Sequence, residues 1–207
     1  ILVAAVMAFN LTILFYNRLH LVYTVCLIIG TAGLMQVTNV LSKLDFSAGW
    51  DVLSKSMNVH LKGNTGNINI FAASLIYKVP FILIGIWHYG ARLQGLWLSL
   101  ALLLTTTGVL FVNARASLLS MIAIFLVFTV YCISTYWKNK AYLLRGAYII
   151  IPLLLAFLWV NIVRKDAADS RYGKSAVERL QEISTEDLGA KARFVFWENA
   201  LRFARQK

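Results

Sequence analysis

The chain has 207 residues, is 59% hydrophobic and has a mean hydropathy of +0.69. Its apolar residues come in blocks rather than spread out, which excludes an ordinary water-soluble domain and points to a polytopic membrane protein. The net charge of +11 is scattered among apolar runs rather than gathered on one face, which excludes nucleic acid as partner and suits anionic lipids or a phosphate-bearing substrate.

A spanning helix needs about 20 apolar residues. Six such spans are expected, at about 1–16, 21–41, 68–88, 93–112, 118–137 and 146–163. The expected fold is therefore an all-α membrane bundle. The first span opens at Ile1 inside an apolar run, with neither Met nor a charged flank, and the chain stops at Lys207 within a helix-like pattern. A fragment of a longer protein is the expectation. Cys26 and Cys132 both fall inside spans, without disulfide or metal spacing, and read as small core or lipid-facing residues.

In the second span, Gly30 and Gly33 allow close helix packing. The external loop 42–67 follows. Trp50, Leu53 and Met57 stand at helical spacing within it, which predicts a helix lying flat on the membrane. The loop ends in HLKGNTGN, dense in turn formers. The third span holds Lys78 near its middle and Pro80 two residues on. Proline kinks a helix. Lys78 either snorkels toward the surface or faces an internal polar cavity, with Asn67 and Asn69 as candidate companions.

The fourth span ends in Thr105-Thr106-Thr107, whose hydroxyls can bond back to their own helix. Residues 113–117 are a predicted turn carrying Arg115. No acidic residue lies between Asp51 and Asp166, so Arg115 has no carboxylate nearby in sequence. Two readings stand: an interfacial arginine touching lipid phosphate, and a binder of an anion supplied from outside the protein. Lys138, Lys140 and Arg145 form a predicted basic loop, and Trp159 near the end of the sixth span suits a membrane interface.

The tail 164–207 differs in character. It carries ten Lys/Arg against seven acids, whereas residues 1–163 carry ten against two. Val177, Leu180 and Ile183 predict one amphipathic helix. A second is expected from about residue 189, with Phe194, Trp197, Leu201 and Ala204 on one face and a Glu198–Arg202 pair. Arg193 has no acid three or four residues away, so it is either free to meet an external anion or a solvated arginine like most in the tail. Counting tail charges puts the tail in the cytoplasm; discounting them leaves five cations against four and no orientation.

Three segments, in this order, resemble the O-antigen ligase and polymerase superfamily of bacterial envelopes. They are GNTGNINIFAASLIYKVPF (63–81), TTTGVLFVNARASLLSMIAIFL (105–126) and ARFVFWENALRFA (192–204). The resemblance covers most of residues 60–207. It implies a multi-pass glycosyltransferase of the bacterial inner membrane, inverting and metal-independent, with no cofactor. Such enzymes move a glycan from undecaprenyl diphosphate to lipid A core, to another glycan or to a protein. It further implies that Arg115 and Arg193 bind the diphosphate, and that 164–207 begin a large periplasmic loop. The family's histidine base lies further along that loop, hence beyond Lys207; here the histidines are His20, His60 and His88. The turn reads Ala114-Arg115-Ala116, against the commoner Ser-Arg-Gly. Two other classes remain beside it: a transporter or flippase for a lipid-linked glycan, and a non-catalytic membrane anchor with a partner-binding tail.

Overall fold

The computed structural model describes residues 18–47, 50–136 and 140–164, with residues 195, 196, 198, 199, 202 and 203 of the tail. Seven α-helices occupy the three main segments: α1 Leu19–Leu41, α2 Trp50–His60, α3 Ile68–Ile76, α4 Val79–Tyr89, α5 Leu93–Val112, α6 Arg115–Tyr136 and α7 Lys140–Arg164. A 3-10 turn, Gly63–Thr65, precedes α3, and there is no strand among the described residues. Five stretches are long and apolar enough to cross a membrane: Leu19–Leu41, Ile68–Tyr89, Leu93–Val112, Arg115–Thr135 and Arg145–Val163. The expected span 1–16 lies outside the described residues, as do Lys138, Arg193 and the predicted 175–184 helix.

α5 is the central post. It packs against α1, α3, α4 and α7, and Leu98, Ala101, Leu102, Val109, Phe111 and Val112 along it are fully buried. The fit depends on small residues opposite large ones. On α1, Cys26, Gly30, Gly33, Val37 and Val40 recur three or four apart and make one buried face. Leu98 of α5 fills the space left by Gly30 on α1 and Gly85 on α4; a Cβ at either position would collide with it. A Cβ at Gly108 would come within 2.9 Å of Leu75 and 3.1 Å of Val37.

α6 stands at the periphery, with Leu126, Val127 and Val130 exposed. An apolar face turned outward over a whole helix fits hydrocarbon surroundings.

The chain runs up and down, so its connections fall at two ends. Residues 42–67, the Asn113–Ala114 turn and the end of α7 share the Arg115 end. The start of α1, the α4–α5 connection and the start of α7 share the Arg145 end. The packing agrees: Val160 joins the cluster around Phe111, and Ile149 the cluster around Ile86 and Leu98.

Three sequence expectations are corrected, on α2, on the 113–117 turn and on the start of α7. α2 does not present its apolar stripe outward: Leu53 and Met57, with Leu61 beyond the helix, are buried against the cluster holding Phe71 and Phe111. The stripe is at i, i+4, i+8 and caps the bundle end. The third span, Ile68–Tyr89, is interrupted at Tyr77–Lys78 between α3 and α4, as the proline leads one to expect: Pro80, in the first turn of α4, cannot donate to a carbonyl of the preceding turn. The predicted 113–117 turn is shorter: Asn113 alone takes the left-handed conformation, at φ 51°, and Arg115 already opens α6. Lys140 and Arg145 lie within α7, which starts earlier than the predicted 146, rather than in a loop. Trp159 is half-buried, its ring 5.8 Å from that of Phe46 and 6.0 Å from that of Phe111.

Candidate functional site

The best-built polar centre lies at the break between α3 and α4. Lys78 Nζ donates to Gln36 Oε1 of α1 at 2.8 Å and to the Ser74 carbonyl at 2.7 Å. Gln36 Nε2 donates to Ser74 Oγ at 2.7 Å, and that hydroxyl donates to the Phe71 carbonyl, also at 2.7 Å. Every link is satisfied, which is what a cation placed among apolar helices requires. The space exists because position 33 is glycine: a Cβ there would lie 3.2 Å from both Lys78 Cδ and Thr105 Oγ1.

Next to this cluster, α5 carries its three threonines. Thr107 Oγ1 bonds back to the Leu103 carbonyl at 2.8 Å. The hydroxyls of Thr105 and Thr106 are buried and make no hydrogen bond in the structure. The expected back-bonding thus holds for one threonine of three. Asn67 and Asn69 are not companions of Lys78. Both are exposed; Asn67 caps α3 by accepting the Asn69 backbone N–H at 2.9 Å, more than two helical turns before Lys78.

Toward the Arg115 end, α5 passes into Asn113, which is fully buried, and then into α6. Arg115 is half-buried in the first turn of α6, with buried Ser117 beside it. Helix N-termini carry a partial positive charge, so Arg115 adds a full charge to a terminus already favourable to anions. The lack of a carboxylate near Arg115 holds only along the chain, however. The loop carrying Asp45 folds onto this end: the Phe46 ring stands 6.2 Å from that of Phe111, and Asp45 Oδ1 accepts from the Ser47 backbone N–H and hydroxyl. Arg115 itself has an interaction partner within the chain.

At the opposite end, Arg145 donates from a terminal guanidinium nitrogen to the Trp87 carbonyl at 2.6 Å. Tyr23 and His88 stack in parallel, ring centroids 3.3 Å apart. These groups edge a cleft of about 790 Å³ between α4 and α6. In the tail, Arg202 pairs with Glu198 at 2.9 Å, both exposed.

The structure brings Lys78 together with Gln36 and Ser74, and places Arg115 apart from them at the bundle end. Arg193 lies outside the described residues. Sequence reasoning missed Gln36 and Ser74. Both carried a signal: Gln36 is three after Gly33 and four before Val40 on the packed face of α1, and Ser74 is four before Lys78. Among the described residues, no three His, Cys, Asp or Glu side chains gather as metal ligands. The chain matches no family model, no curated protein and no solved structure.

Proposed function

We propose that this chain is part of an integral membrane glycosyltransferase that takes a glycan from undecaprenyl diphosphate and delivers it to lipid A core, a growing glycan or a protein. The membrane is the bacterial inner membrane, with the Arg115 end and the tail facing the periplasm. The observation carrying the reading is the placement of Arg115. It opens α6 at the same end of the bundle at which α7 finishes and the tail begins. Arg193, from the tail that follows α7, is the second arginine this reading assigns to the same anion. The order of the three segments quoted above supports the same assignment.

The chemistry asks for little more than this. As the bond from sugar to diphosphate breaks, negative charge grows on the leaving group. Guanidinium groups present forked donors that hold such charge through paired hydrogen bonds. The acceptor hydroxyl needs a base, which this reading places beyond Lys207.

One observation favours a second reading. A helix broken near its middle, with a cation at the break, is how transporters build a midplane site. Against it, Lys78 is held by Gln36 and Ser74. The full protein in proteoliposomes separates the two. A transferase releases undecaprenyl diphosphate when an acceptor is supplied. Glycan-bearing lipid that crosses the bilayer with no diphosphate carrier released would replace the transferase by a flippase.

A further inference from the structure

The cleft at the Arg145 end belongs to neither reading, because it lies at the other end of the bundle from Arg115. Its volume of about 790 Å³ is within the roughly 300–1,000 Å³ of ordinary ligand sites. Its walls are chiefly apolar. Ile84 of α4 and Ala123 and Val127 of α6 line it, and Ile84 and Val127 are also exposed on the outer surface. The polar groups are confined to one end, where His88, Tyr131 and Arg145 line it. From Ala123 to Tyr131 is eight residues along α6, or about 12 Å. One leaflet of a bilayer is about 15 Å of hydrocarbon. The cleft therefore has the depth of most of a leaflet, apolar toward the bilayer centre and cationic at the rim.

The charge at this rim has one sign in the sequence. Asp45 and Asp51 lie in the segment between α1 and α3 at the Arg115 end, and no acid occurs from there to Asp166. At the Arg145 end, Arg18 precedes α1, Arg92 lies between α4 and α5, and Lys140 and Arg145 lie in the opening turns of α7, with no acid among the described residues there. Arg145 is held at the cleft by two features. It donates to the Trp87 carbonyl, and its side chain lies over Gly90, where a Cβ would come within 3.3 Å of Nε.

We infer that this cleft is a binding site for one anionic phospholipid, its phosphate at Arg145 and an acyl chain between α4 and α6. The inference rests on the membrane-spanning arrangement of the helices and not on the glycosyl transfer. A headgroup at the rim and a chain along Ile84 and Val127 match the cleft's two ends. A water-soluble anion would leave the apolar walls without an occupant.

The test is native mass spectrometry of the full chain in detergent, offered phosphatidylglycerol and phosphatidylcholine of identical chains at equal concentration. The wild type is expected to retain one phosphatidylglycerol in preference to phosphatidylcholine by about fivefold, the worth of roughly one cation near a phosphate. Arg145→Gln is expected to lose the preference and keep chain binding. Ala123→Phe leaves Arg145 in place, fills the apolar wall, and is expected to lose both lipids. Equal retention of the two lipids by the wild type overturns the inference. So does an Ala123→Phe variant that keeps its phosphatidylglycerol, and this result stands even if Arg145→Gln fails to fold.

Discussion

Lys78 of the α3–α4 break and Gln36 of α1 are 42 residues apart in sequence and joined by a 2.8 Å hydrogen bond from Nζ to Oε1. The bond explains how a cation is kept inside an apolar bundle. Lys78 is partly buried, and α1 brings a neutral oxygen to it. The bond also ties the broken span to its neighbour at the point where backbone bonding is interrupted.

Removing Gln36 leaves the Lys78 cation short of a partner, whereas removing Lys78 leaves only a neutral amide. Gln36→Leu is therefore expected to destabilise the protein by about 1–3 kcal/mol, and Lys78→Met by less. The double variant is expected to recover part of the Gln36→Leu loss. Thermal unfolding in detergent reads all three. A Lys78→Met variant less stable than Gln36→Leu would mean that the lysine stem, and not its charge, matters most.

The packing of α5 makes a sharp comparison between glycines. Gly30 faces Leu98 so closely that any Cβ must displace it. Gly30→Val is expected to cost about 1–3 kcal/mol through overpacking. At Gly146 of α7, nothing lies within 4 Å of a built Cβ. Gly146→Ala is expected to be neutral or to stabilise by up to about 1 kcal/mol, since alanine favours a helix interior. The melting temperatures of the two variants check the contrast.

α2 is held to the bundle by Leu53 and Met57, both buried. Met57→Ala is expected to cost about 2–5 kcal/mol, and to expose the 50–60 segment to hydrogen exchange before the rest of the bundle. Exchange mass spectrometry reads the local effect. Equal protection in wild type and variant would show α2 to be held from elsewhere.

Asn113 sets the direction in which α6 leaves α5. Its φ of 51° is tolerated by asparagine and glycine and opposed by a branched side chain. Asn113→Val is expected to lose more stability than Asn113→Gly, by about 1–2 kcal/mol.

Much of this could be read along the chain. The run from Leu93 to Val112 is bounded by arginine and asparagine, and the helix has those limits. Pro80 announced the break in the third span, since its missing N–H acts locally. What could not be read was pairing at a distance. Nothing near Lys78 in sequence names Gln36, 42 residues away. The lack of acids between residues 51 and 166 describes the chain near Arg115 and not the folded bundle, where Arg115 has an interaction partner. α2 misled for a related reason. An apolar stripe at helical spacing fits a membrane surface and a bundle end equally well, and only the cluster around Phe71 and Phe111 decides between them.

The central claim is that Arg115, with Arg193, grips a diphosphate borne by a lipid carrier. Its most direct measurement is glycan transfer from undecaprenyl diphosphate by the full protein carrying Arg115→Ala, beside Arg115→Lys and Arg193→Ala. The account predicts a loss of about 100-fold or more in turnover for either alanine variant, partial retention in Arg115→Lys, and unchanged membrane insertion in all three. Full transfer by a well-inserted Arg115→Ala protein would contradict it.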